Sequence, residues 1–541
     1  MIGTSRKIEY SIRCDFFSHL QKIHSSFFTS TRTGSIMALM TNDLDAVRSF
    51  LGPGLLNLFN TIFVFISTLT VMFMINVKLS LYSLIAIPIL PIIVSKLSAA
   101  LYHRFKKSQE QYASLSARTQ ESFAGIKVIK SFTQEKNEIK TFSDLNIEYI
   151  KRNLSLAKVR SMFWPAMVFI GGIGTLAVLL VGGRQAINQV ITLGQFVQFV
   201  AYIGSITWPL ISLGWVMNLV QRGSVSMGRI NRIFEIKPEI ASPRQPVRIK
   251  TIKGNIDFKN VYFRYNNKNS PKNNSKGSSK GSLKYSSLNY KNTANNTSEN
   301  GWVLKDINLK IQQGMKVGIV GFTGSGKSTL VNLIPRLYDP QNGAVYIDNL
   351  DIKSISLDKL RRCIGYVAQE PFLFSKSIKD NILFGSGDLL SDLNETQIMK
   401  KVEDVSKISH LHEEIENFSS RYETIIGERG VTLSGGQRQR LAISRALMIQ
   451  PSILILDDSF SNIDTHTEEL ILNDLREKVK DITTIIISHR ISTIKDSDLI
   501  IVIDNGEIIE SGNHSQLLKK SQVYQRLYSR QQLSEELEEE I

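Results

Sequence analysis

The chain divides by the rhythm of its apolar positions. Leu51–Val77 contains no charged residue, and neither do Leu79–Ser95, Ser161–Gly183 and Gln185–Gln221. A helix needs about 20 mostly apolar residues to cross a bilayer, and soluble helices rarely run so many turns without charge. The runs therefore predict four membrane spans, over about 51–77, 79–95, 161–183 and 193–220, the first two joined as a hairpin around Lys78. After Arg232 the long runs stop. Short β-like stretches follow, NIDFKNVYFRY, VLKDINLKI, KVGIVG, AVYID, IGYVA, SILILD, TTIIIS and DLIIVIDNG, with helical sequence between several of them. That alternation predicts a soluble α/β domain with a largely parallel sheet.

A length of 541 residues exceeds one core and fits two or three domains. The boundaries read as a membrane domain over 1–232, a linker over 233–254, an α/β domain over 255–530 and an acidic, solvated tail over 531–541. Within the α/β domain, 266–300 is almost wholly Asn, Ser, Lys, Gly and Thr. It is too polar to offset the entropy of ordering and is expected to be a disordered surface insertion.

Charge adds orientation. The balance of 65 basic against 49 acidic residues gives +16, which alone fits either nucleic acid or an anionic membrane surface, and the apolar runs decide for the membrane, with no nucleic-acid partner expected. Basic residues gather at Arg6, Lys7, Arg13, Lys22 and Arg32, again at His103, Arg104, Lys106 and Lys107, and after Arg222. The positive-inside rule then puts the N-terminus, the long middle loop and the α/β domain in the cytoplasm of a multi-pass protein. Both cysteines, Cys14 and Cys363, fall on that side, so no disulfide framework is expected. The glycosylation-like triplets at Asn273 and Asn296 should stay unmodified for the same reason. No cleavable signal peptide is visible, because Met1 leads into charged, amphipathic sequence.

Chemistry enters with GFTGSGKST, Gly321 to Thr329, between the strand KVGIV and the helical TLVNLIPRLY. It matches G-x-x-x-x-G-K-[ST] in its strand-loop-helix setting. Gly321, Gly324, Ser325 and Gly326 let backbone N–H groups curl around phosphates, Lys327 reaches the β and γ groups, and Ser328, beside Thr329, ligates magnesium. ILILDD ends an apolar strand in two carboxylates, and Asp457 is positioned to hold the same ion, directly or through water. LSGGQRQR adds a glycine-rich turn opening a helix, where Ser434, Gly435, Gly436 and Gln437 can face an anion. The expected ligands are ATP and Mg2+.

The order GFTGSGKST, VAQEPFLF, IIGERG, LSGGQRQR, ILILDD, SNID and ISHR resembles the ATP-binding cassette, and with the spans before it the half-transporters of ABC exporters, especially bacterial-type heterodimeric multidrug exporters. The resemblance implies an all-α transmembrane helical domain followed by an α/β P-loop NTPase (ABC cassette) domain. It also implies a dimer with a second half-transporter, a heterodimer with a homodimer as the alternative, in which each ATP lies between one chain's phosphate loop and the other's LSGGQ. By the same resemblance Gln369 senses magnesium, Glu428 precedes the signature, Asp464 lies in a dimer-bridging loop, His489 holds the γ-phosphate and Tyr265 stacks on adenine. SFFTSTRTGSIMALMTNDLDAVRSFLGPG resembles the passage between an exporter's second and third spans, and ARTQESFAGIKVIKSF a second coupling segment. An exporter half has six spans, so the first two are not in this sequence, and the expectation is that Met1 is an internal start, with a natural fragment as the alternative.

Asp458 departs from the family, which carries Glu after the magnesium-binding Asp. The resemblance thus implies ATP-driven export of a hydrophobic or amphipathic substrate with a degenerate own site, or alternatively a regulatory or assembly subunit that binds ATP without useful turnover. A soluble chromosome-maintenance ATPase would share the signature but not the apolar spans.

Overall fold

The computed structural model describes every residue except 85–88, 266–300, 391, 428–432, 479–480 and 540–541. Contacts divide the chain into two compact units, Met1–Leu20 with Thr33–Ile236, and Gln21–Arg32 with Lys237–Ile541. The sequence-based boundary thus misses one segment: Gln21–Arg32 belongs with the α/β unit. The Ser25 hydroxyl donates to the Leu337 carbonyl at 3.5 Å, and the Glu239 N–H donates to His24 Nδ1 at 3.5 Å.

The first unit is helical. Residues Thr33–Ile75 form one helical stretch, the only one among the described residues that holds a window long and apolar enough to cross a membrane. It stops at Asn76, which is extended and whose side chain caps the next helix, Val77–Ser83, by accepting from the Leu79 N–H at 3.0 Å. Long helices follow over Ile89–Ala124, Glu135–Ala177 and Leu193–Phe234. Thr192 and Gln195 form a reciprocal capping box at the start of the last helix, satisfying two backbone donors at that end. Polar rungs align the middle pair: Arg104 donates to the Ser155 carbonyl at 2.9 Å, Ser108 to Asn153 at 3.0 Å and Gln111 to the Leu145 carbonyl at 3.0 Å. Met72, Leu79, Val178, Phe199, Ile203 and Ile206 form its apolar centre.

The second unit holds two sheets. A four-stranded sheet has the order β2-β1-β4-β5, with β1 Ile256–Phe263, β2 Leu304–Ile311, β4 Asn342–Ile347 and β5 Leu350–Asp351. A six-stranded sheet has the order β10-β9-β3-β8-β7-β6, with β3 Lys316–Val320, β6 Ile364–Val367, β7 Ile453–Asp457, β8 Thr483–Ile487, β9 Leu499–Asp504 and β10 Glu507–Gly512. All its pairings are parallel except β9 with β10. Every residue of β7 is buried, as both faces of a parallel sheet require. Phe258, Ile307, Val317, Ile319, Ile455 and Ile485 fill the space between the sheets.

Two more boundaries differ from expectation. The last long helix of the first unit reaches Phe234, past the start of the expected linker. The expected tail from 531 begins inside a helix that runs from Gln522 to Glu539. Its Tyr524 is fully buried, and Leu527 and Tyr528 lie on the same face one turn later, continuing the apolar stripe that holds it.

The polar stretch 266–300 lies outside the described residues, but its flanks are fixed: Phe263 pairs with Leu304 across β1 and β2. A few residues can span that gap, and closure entropy changes slowly with loop length. Replacing 266–300 by a short Gly-Ser linker should therefore leave stability within about 1 kcal/mol and ATP affinity nearly unchanged, measured by thermal unfolding and nucleotide titration of the full chain.

Candidate functional site

The carboxyl ends of β3, β6, β7 and β8 lie at one edge of the parallel sheet, the position where open α/β sheets bind ligands. Each strand delivers one part. β3 runs into the loop Gly321–Gly326 and the helix Lys327–Asn332. Gly326 caps that helix with φ +104°, and a Cβ there would sit 2.9 Å from Leu304, so a side chain is excluded by conformation and by space. Gly321 and Gly324 also have positive φ.

Lys327 folds back inside this loop, its ammonium donating to the carbonyls of Gly321 and Phe322 at 2.8 Å each. Burial pushes its pKa down, while Asp458 and Asp457 pull it up. The Ser325 hydroxyl is buried in the same loop without a hydrogen-bond partner among the described residues. A lysine, an unpaired hydroxyl and a ring of backbone N–H groups together fit an anion such as a polyphosphate.

β7 delivers the carboxylates. Asp457 is 4% exposed and accepts from the Ser328 hydroxyl at 3.0 Å. Burial raises its pKa, with the hydrogen bond from Ser328 acting against it. Among the described residues no group of three or more His, Cys, Asp or Glu could hold a metal. Ser328 and Asp457 do bring a hydroxyl and a carboxylate oxygen together, hard donors that would suit a magnesium ion. Asp458 follows in the left-handed region at φ +48°, where an aspartate is tolerated. Its N–H donates to the Ile487 carbonyl at 2.9 Å, and its carboxylate accepts from Gln369 Nε2 at 3.4 Å. β6 brings Gln369 and β8 brings His489 to this edge.

Tyr265 lies beside the loop with its hydroxyl 2.9 Å from Thr329 Oγ1 and its ring edge-on to Phe263 and Tyr338. Thr329 thus holds this aromatic ring, a contact that motif spacing alone does not reveal.

Ser434 caps the helix Gly435–Met448 in a capping box with Gln437, so those two residues first satisfy the helix end. Gly436 has a local reason to be glycine as well: a Cβ there would meet the Asn462 carbonyl at 2.8 Å. The fully buried Gln439 donates to Ser461 at 2.9 Å and accepts from the Asn462 N–H at 3.0 Å, tying the signature helix to the loop that ends at Asp464. Asp464 accepts from the Thr467 N–H at 2.9 Å, and that bond lowers its pKa. Glu414 accepts from Gln437 at 2.7 Å and pairs with Arg440 at 2.6 Å. Gln439 and Glu414 carry no phosphate-type signature and emerge only from these contacts. Glu428 lies outside the described residues.

A family model described as "ABC transporter transmembrane region" matches residues 1–210, and one described as "ABC transporter" matches 304–461. The probable multidrug resistance ABC transporter ATP-binding/permease protein YheI of Bacillus subtilis (strain 168) is 35% identical over 534 residues, covering 98% of this chain and 84% of the relative. The multidrug resistance-like ATP-binding protein MdlA of Escherichia coli (strain K12) is 33% identical over 540 residues, covering 100% of this chain and 85% of that protein. A bacterial Atm1-family ABC exporter solved with ATP bound superposes with a TM-score of 0.76 at 25% identity, covering 98% of this chain and 86% of that one.

Two outcomes test this site. Lys327→Ala removes a charged donor from the phosphate loop and should weaken ATP binding by about tenfold or more, read by photolabelling with an ATP analogue. Because burial raises the Asp457 pKa, the folded chain holds that proton more tightly than the unfolded chain. Ionising Asp457 therefore costs the nucleotide-free fold stability above the raised pKa, and the cost fades as pH falls below it. Asp457→Asn should melt higher than the parent at pH 7.5 without nucleotide, and the gap should close as the pH is lowered.

Proposed function

The chain belongs to the ABC transporter family as an integral membrane exporter ATPase with a cytoplasmic cassette, and from that premise we propose that it is one half of an asymmetric heterodimer. Its own phosphate loop binds ATP and turns it over slowly. Its signature, Ser434 to Gln437, completes a fast site on the partner. The membrane domain crosses the bilayer in the four apolar stretches of this sequence and moves a hydrophobic or amphipathic substrate. The relatives' descriptions as multidrug proteins support that cargo class.

Asp458 carries the reading. Hydrolysis needs the oxygen of a water in line with the γ-phosphorus, so that the bond to the β-phosphate breaks and ADP and phosphate leave. The residue after Asp457 must reach that water. Asp is one methylene shorter than Glu, and a misplacement near 1 Å costs on the order of a hundredfold in rate. The main chain is not free to move forward and compensate: the Asp458 N–H is bonded to Ile487, and the next residue, Ser459, is fully buried. Its carboxylate is engaged with Gln369.

In this reading Lys327 and the backbone of Gly321–Gly326 neutralise the β and γ phosphates, His489 touches the γ-phosphate, and Tyr265 presents its ring to adenine. Ser328, Asp457 and Gln369 would hold magnesium, which would screen phosphate charge and polarise the bond that breaks. Asp458 stays within reach of Gln369 and short of the water. The donor half is supported by the capping of its helix between Ser434 and Gln437 and by Gln439, which ties that helix to Ser461 and Asn462.

Two variants assayed with the partner half separate the sites. Ser434→Arg should cut the ATPase to about a tenth or less by blocking the partner's phosphate loop, while Asp458→Asn should stay within about twofold of the parent. Loss of most activity in Asp458→Asn would make that carboxylate the working base and end the asymmetric reading.

A further inference from the structure

The helix Gln522–Glu539 follows the last strand of the cassette and carries an apolar face that changes character at one place. Tyr524 is fully buried, its hydroxyl 2.8 Å from His514 Nδ1, and Leu527 and Tyr528 pack on the same cluster. Seven residues after Tyr524 the helical repeat returns to that face. The residue there is Gln531, where continuation of the stripe would call for an apolar side chain.

Its amide meets backbone at both ends. Gln531 Oε1 accepts from the Ile491 N–H at 2.7 Å, and Nε2 donates to the carbonyl of His489. These two groups flank Arg490, so a single planar amide grips the peptide units on both sides of it. Ile491 opens the short helix Ile491–Ile494, whose first N–H groups have no intrahelical acceptor. Arg490 caps that helix without a side-chain bond of its own, and its guanidinium is directed instead to Glu468 at 3.3 Å. Gln531 therefore supplies the partner that the helix start lacks. It also fixes the peptide that aims the exposed imidazole of His489.

We propose that Gln531 is a positioning residue for His489, through which the C-terminal helix sets the chain's preference for a nucleotide bearing a γ-phosphate. The inference rests on His489 touching that phosphate, as read above. It does not depend on whether Asp458 supports hydrolysis, because it concerns binding. Without the clamp both backbone groups turn to water, the loop samples more orientations, and the γ-phosphate contact weakens. The loop Gly321–Gly326, which holds the phosphates shared by ATP and ADP, is untouched.

The test uses the full-length chain in its dimeric form and compares ATP with ADP by equilibrium titration under non-hydrolysing conditions. Gln531→Met keeps the length and apolar stem and removes both bonds. It should lower the ATP-to-ADP affinity ratio at this chain's phosphate loop by about fivefold, the effect of one or two neutral hydrogen bonds, with ADP affinity unchanged. Amide hydrogen exchange at Ile491 should quicken in the same variant. His489→Ala serves as the reference. If His489→Ala lowers the ratio and Gln531→Met does not, the positioning role is wrong while the reading of His489 stands. If His489→Ala leaves the ratio unchanged, the role of His489 falls and this inference with it. Equal weakening of ATP and ADP in Gln531→Met would mark Gln531 as merely structural and overturn the proposal.

Discussion

The hydrogen bond from the Ser328 hydroxyl to the Asp457 carboxylate, 3.0 Å long, joins the two halves of the nucleotide site. One partner stands at the start of the helix after β3 and the other at the end of β7, so the bond holds only while those strands keep their places in the six-stranded sheet. β8 lies between them, pairing Ile487 with Asp457 on one side and with Ile319 on the other. That register fixes how far each strand projects. The burial that makes the β7 carboxylate expensive when alone is the burial that makes it effective against a cation and phosphates. Apo stability and ligand affinity are therefore traded at one residue.

The proposed weight of one methylene at Asp458 rests on the same sheet edge. Asp458 inherits its position from β7 and is bonded back to Ile487, which leaves the side chain as the only adjustable reach. The signature is held with equal firmness from the other direction. Gln439 is fully buried and binds both Ser461 and Asn462, and the Asn462 carbonyl, 2.8 Å from where a Cβ would sit, leaves no room for a side chain at Gly436. The signature helix is also tied to the segment after β6: Arg445 donates to the carbonyls of Phe372 and Asn381, and burial lowers its pKa to about 10. In the proposed heterodimer, a chain built this way would give up turnover at its own loop and keep the surface it offers its partner.

Much of this was legible in the sequence because the motifs are local. GFTGSGKST requires a strand, a loop and a helix in order, and ILILDD is an apolar run ending in charge, so spacing alone set Lys327, Ser328 and Asp457 at one edge. Of the four expected spans, the first coincides with the helical stretch Thr33–Ile75 that is long and apolar enough to cross a membrane among the described residues, and the second includes 85–88, outside them. What the sequence hid was long-range. Gln21–Arg32 is polar and short, and nothing in its periodicity reveals that it joins the α/β unit. The helix that leads into the acidic tail is anchored by Tyr524 and Tyr528 at helical spacing, which composition does not reveal. Gln439, Glu414 and Gln531 act through backbone and side-chain bonds to distant residues, and no composition or motif marks such pairings.

The central claim is that the reach of one carboxylate limits turnover at this chain's phosphate loop. It is tested most directly by lengthening that carboxylate. Asp458→Glu should be assayed in a dimer whose partner phosphate loop has been disabled, so that only this site can turn over ATP. The account predicts a rise in the residual ATPase rate of at least about tenfold, since a misplacement near 1 Å is worth about a hundredfold. An unchanged rate in Asp458→Glu, or a parent site that already matches the glutamate variant, would contradict it.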